Sequence, residues 1–178
     1  MIKKAFVIAL ECKQPLLAKD IDHSEYEFDD EYNSLTSVFY NLSESFYERG
    51  IVLHLKICDH ECYNDGVELS ILLEDFHNFT KFANNDENEY KMHFYEQGAD
   101  RLLTFKKIGD GEYTLMFEDH DIRGFEPLST VGSVLDLNLM LFTLFCKVRF
   151  LANKMCPSIA KHDRYINWCS GIRGIFIN

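Results

Sequence analysis

A chain of 178 residues that is 47% hydrophobic and 26% charged has ordinary globular composition, which excludes a disordered, collagen-like or coiled-coil protein. With 29 Asp and Glu against 18 Lys and Arg the net charge is −11, a sign that repels nucleic-acid backbones and anionic membranes and favours basic partners. The length fits one domain, residues 1–178, and 15 phenylalanines can furnish a sizeable core.

The first apolar run, ending at Glu11, is short for a signal sequence and is followed by no small-residue cleavage site. It is predicted to be a strand over 2–12, and a cytoplasmic location is expected. Residues 20–31 are dense in carboxylates and suit an exposed loop, with Asp29 or Asp30 capping the next helix. Leu35, Val38/Phe39, Leu42 and Phe46 recur at three-to-four spacing and predict a helix over 31–48, stopped by Gly50. Ile51 to Cys58 reads as a strand, Asp59 to Gly66 as a polar turn, and Val67 to Ile71 as a short strand. Phe76, Phe79 and Phe82/Ala83 then mark one face of a helix over 72–84. Strands are predicted at 90–96, 101–108 and 112–119, the last two joined by Gly109-Asp110-Gly111. Residues 120–130 read as a loop, and 131–155 as the longest helix, with Ser133 and Asp136 at its start.

The middle of that helix, Leu137 to Cys146, is apolar nearly all round, which predicts a helix sandwiched at the centre of the core with Leu139, Phe142 and Phe145 buried. At about ten residues the run is half of what a membrane span needs. The tail ends in Ile175-Phe176-Ile177 and is predicted to dock as a short strand. Strands interrupted by helices, with a hairpin meander, imply an α+β fold: a mostly antiparallel sheet with the long C-terminal apolar helix packed on one face.

Six cysteines are too few for a disulfide scaffold; Cys12, Cys58 and Cys146 lie in apolar runs and read as small core residues. The sharpest chemical cluster is His54, Cys58, His60 and Cys62. Its C-x3-C spacing is loose for zinc, and the remaining ligands would have to come from Cys156, His162 or Cys169, about a hundred residues on. No metal and no cofactor are therefore expected. His120, between Asp119 and Asp121, lacks a second reacting residue for acid–base catalysis. No dinucleotide turn, phosphate loop, nucleophile elbow, EF-hand loop or basic-aromatic patch is present. No motif fixes a function, and the chain does not read as an enzyme.

Acid is concentrated in the first two thirds: from Pro127 onward there are six basic residues and two acidic ones. The ordering of a first strand, an early helix, the helix around Leu72-Leu-Glu-Asp-Phe-His-Asn-Phe79, the meander Arg101-Leu-Leu-Thr-Phe … Glu112-Tyr-Thr-Leu-Met-Phe and a long apolar helix resembles bacterial immunity proteins of contact-dependent growth inhibition and related polymorphic toxin systems. The resemblance implies a non-catalytic inhibitor that binds the C-terminal domain of a cognate toxin, a basic nuclease by expectation. No contact residue carries over from it. The acidic loops Asp59, Glu61 and Asp65, and Asp119 and Asp121, are the expected contacts with such a partner, since an acidic inhibitor complements a cationic active site.

Overall fold

The computed structural model describes residues 6–13, 15, 34–63, 67–84, 87–96, 99–109 and 111–177. The expected loop at 20–31, Asp65 and the Asp29 or Asp30 cap lie outside them. The fold is α+β, as expected, but its strands form two antiparallel sheets rather than one. The first sheet has the order β1 (Phe6–Cys12), β2 (Ile51–Ile57), β3 (His60–Tyr63). The second is a meander of β4 (Glu89–Glu96), β5 (Ala99–Gly109), β6 (Glu112–Asp119) and β7 (Leu128–Ser133).

Helix α1 (Leu35–Glu48) follows the predicted face: Val38, Phe39, Leu42 and Phe46 are buried. Its cap is Ser34, whose Oγ accepts from Ser37 N at 3.1 Å, and Gly50 ends it at φ +69°, a conformation that glycine adopts without steric penalty. β2 then turns straight into β3 through Cys58 and Asp59, so the polar turn expected over 59–66 is in part a strand. Cross-strand pairing outweighs the polar composition there: Leu55 faces Cys62 and His54 faces Tyr63 in the register.

The predicted strand at Val67–Ile71 is instead the first turn and a half of α2 (Val67–Ala83). This helix, and not the long C-terminal one, lies at the centre of the core. Phe76, Phe79 and Phe82 are fully buried. Phe79 stacks on Tyr90 at 4.7 Å and meets Phe105 at 4.9 Å, while Phe76 reaches Trp168 at 6.0 Å and Phe145 at 6.4 Å. Each buried ring contributes about 1.5–3 kcal/mol of transfer free energy, so this one helix face is a dominant stabilising element.

The long helix is α3 (Val134–Met155), started by Ser133, whose Oγ accepts from Asp136 N. Sequence reading has it sandwiched, and the structure corrects this. Leu137, Leu141, Leu144, Phe145 and Val148 face inward, but Leu139 and Phe142 are exposed, together with Leu135 and Phe150. Lys147 on its flank donates to the carbonyl of Leu10 at 2.6 Å and so occupies an acceptor on β1. Two further expectations need correction. The loop expected at 120–130 holds over 120–127, but β7 begins at Leu128, and in it Gly132 lies opposite Tyr113. The tail is not a strand: after the short α4 (Pro157–Ala160) it forms α5 (Asp163–Ile177), which buries Tyr165, Trp168 and Ile172 at helical spacing. Cys12, Cys58 and Cys146 are exposed rather than core residues, whereas Cys156 is buried. Among the described residues no helix is long and apolar enough to cross a membrane.

Candidate functional site

One end of the molecule gathers the β2–β3 turn, the start of α2, the start of β5 and the end of β6. The link is His60. Its ring lies 5.7 Å from Phe117 and 5.6 Å from Phe125, and those two rings are 5.6 Å apart, edge to face. The turn carrying Asp59 and Glu61 is thereby held against the turn carrying Asp119 and Asp121. Asp59 and Glu61 of one acidic loop singled out in the sequence, and Asp119 and Asp121 of the other, about sixty residues apart, thus flank a single aromatic cluster, with Lys56 and Arg101 among them; this end is called the acidic pole below.

Within the pole the carboxylates differ in role. Asp59 and Glu61 are exposed, Glu61 paired with Lys56 at 3.1 Å across the hairpin. Asp121 is exposed and accepts from Asp100 N at 2.7 Å. Asp119 is buried, with 6% of its surface exposed. It lies 3.4 Å from Arg101 Nε, and its Oδ1 accepts from Asp121 N at 3.1 Å. Asp119 therefore shapes the turn that presents Asp121, and Asp59, Glu61 and Asp121 are the exposed acids.

Sequence reasoning missed four participants: Glu68, Arg101, Asp100 and His93. Glu68, in the first turn of α2, is buried and bonded to Arg101 at 3.2 Å, so that one guanidinium bridges two buried carboxylates. Asp100 lies between two imidazoles, His93 Nε2 at 2.6 Å and His120 Nδ1 at 3.3 Å. The His93 hydrogen bond, with help from His120, holds the Asp100 carboxyl below its ordinary pKa, so it is anionic at neutral pH. His120 is also tied by its backbone N–H to Asp100 O at 2.9 Å. The result is a braced set of carboxylates: backbone and side-chain bonds set the positions of Asp100, Asp119 and Asp121.

The described side chains of the zinc-like sequence cluster, His54, Cys58 and His60, do not converge. His54 Nδ1 faces Glu11 at 2.8 Å, Cys58 occupies the turn at φ +55°, and His60 is packed among aromatic rings. Among the described residues no three His, Cys, Asp or Glu side chains converge as a metal-ligand set. Comparison with protein-family models, curated proteins and solved structures finds no match to this chain.

Proposed function

We propose that the protein is a cytoplasmic immunity protein that neutralises a cognate toxin by binding its basic C-terminal domain, a nuclease by expectation, without catalysis. The observation that carries this reading is the meeting of the Asp59/Glu61 and Asp119/Asp121 turns at one braced pole through His60. A chain of net charge −11 steers a cationic domain toward itself, and exposed carboxylates fixed by the fold lose little freedom on docking. Nuclease sites are cationic because they hold phosphate, so an acidic pole competes for the same surface.

The test is to search the neighbouring genes for a basic toxin C-terminal domain, coexpress any such domain with this protein, and follow association kinetics across ionic strength. Cells should survive the toxin domain only when this protein is present, and association should slow as salt rises. Asp59→Asn/Glu61→Gln and Asp121→Asn should reduce the on-rate, whereas neutralising Asp163, on the basic C-terminal third, should not. Salt-independent association, or equal tolerance of all these changes, would remove the electrostatic basis of the reading.

A further inference from the structure

Helix α3 presents a second surface, independent of the acidic pole. Leu135 is 77% exposed, Leu139 59%, Phe142 46% and Phe150 62%, and Cys146 is exposed between them. At about 100° per residue these five positions fall within roughly 80° of arc, a single ridge about 22 Å long. Isolated exposed apolar residues are ordinary; a continuous ridge of this length on one helix marks an interaction surface. α5 flanks one side, where Phe176 meets Phe142 at 5.3 Å, and β1 flanks the other, held by Lys147.

We infer that this ridge is a self-association surface, on which α3 packs antiparallel against α3 of a second copy of this chain. The spacing is self-complementary. Leu135 and Phe150 lie equally far from the midpoint between Phe142 and Thr143, and so do Leu139 and Cys146. A two-fold axis at that midpoint sets Leu135 against Phe150 of the second copy, Leu139 against Cys146, and the two Phe142 rings beside each other. Such an isologous contact closes on itself as a dimer.

Charge selects the antiparallel orientation. The ridge is acidic at its start, at Asp136, and basic along its second half, at Lys147, Arg149 and Lys154. By the same helical arc Asp136, Lys147 and Lys154 share one flank. Antiparallel packing places Asp136 of one copy beside the Lys147 and Lys154 flank of the other, and it opposes the two helix dipoles. Parallel packing would set the basic halves side by side. This face also lies in the basic third of the chain, so two copies meet here without the repulsion that the rest of a −11 surface would impose.

Sedimentation of the purified full chain tests the proposal. The wild type should be a dimer at about 100 µM, and a monomer there overturns it. Leu139→Glu, at an exposed position, should raise the dimer dissociation constant at least tenfold with circular dichroism and melting of the monomer unchanged. An unaltered dimer in that variant would place the contact elsewhere and also overturn the proposal. Orientation is read by disulfide trapping in a background where the exposed cysteines Cys12, Cys58 and Cys146 are replaced by Ser. Leu135→Cys and Phe150→Cys chains should cross-link when mixed and not separately, whereas cross-linking of each variant with itself would refute the antiparallel arrangement.

Discussion

Replacing Arg101 with Met is the sharpest test of how the acidic pole is built. Arg101 lies between Glu68 and Asp119, whose side chains are each only 5% exposed, while its own is 23% exposed. Removing the guanidinium leaves two carboxylates facing each other across a site that water barely reaches. Breaking a buried pair in this way costs about 3–5 kcal/mol, and partial exposure of Arg101 puts the expected loss near the lower figure, about 3 kcal/mol. Urea denaturation followed by tryptophan fluorescence should show the midpoint falling with an unchanged slope. Glu68→Leu added to Arg101→Met should recover about 1–3 kcal/mol, because it removes one of the stranded charges. A loss under about 1 kcal/mol for the single variant, or losses that simply add in the double variant, would show that the three groups are not an electrostatic unit.

Three further outcomes follow from packing and charge. Phe145→Ala should cost about 3–5 kcal/mol by urea titration, because the ring is buried against Trp168 and Phe76, while Phe142→Ala, at 46% exposure, should cost less than half as much. Gly132→Ala should lower the melting temperature, since the added methyl would lie 2.5 Å from Tyr113 Cζ and that buried ring is hemmed in by Phe105 and Phe82; about 1–3 kcal/mol is expected from such overpacking. Asp100 has a folded-state pKa held below the usual 3.8, so its contribution is complete above that value and is lost as pH falls through the depressed one. The stability difference between wild type and Asp100→Asn should therefore shrink as pH falls below about 4 and the carboxyl itself takes up a proton; a difference that persisted undiminished in strong acid would contradict the assigned hydrogen bonds.

Local periodicity made most elements legible, and its failures have identifiable causes. Val67-Glu-Leu-Ser-Ile71 contains β-branched residues after a glycine and so suggests a strand. Yet Glu68, Leu72, Phe76, Phe79 and Ala83 form one helical face, and extending the helix back to Val67 would have placed Glu68 on the buried side. The tail's Ile175-Phe-Ile177 reads as strand in isolation, but Tyr165, Trp168 and Ile172 already keep helical spacing. In β6 the alternation Tyr113, Leu115, Phe117 continues to Asp119, which put that carboxylate on the inward face from the start. β7 was not readable locally, because Gly132 in it is covered by the ring of Tyr113, a partner on another strand. Nor could α3 reveal its buried side: both faces are apolar, and only tertiary packing chooses between them. The pole depends on His60 finding Phe117 and Phe125, a pairing between distant segments that composition does not encode.

The basic C-terminal third conflicts with an acidic inhibitor only if its cations project toward the partner, and the structure gives three of them local work. Lys147 is bonded to the Leu10 carbonyl at 2.6 Å. The Arg149 guanidinium sits 5.5 Å over the Phe145 ring, and Lys154 lies 5.8 Å over Phe150. Cations on aromatic faces and on a strand carbonyl are held by short-range contacts, each of modest strength, while their long-range field is screened within about 8–10 Å at ordinary salt. None of the three bonds to a residue of the acidic pole. The charge division seen in the sequence is therefore a division between surfaces: the carboxylates gather at the pole, and the cations around α3 remain beside the apolar ridge.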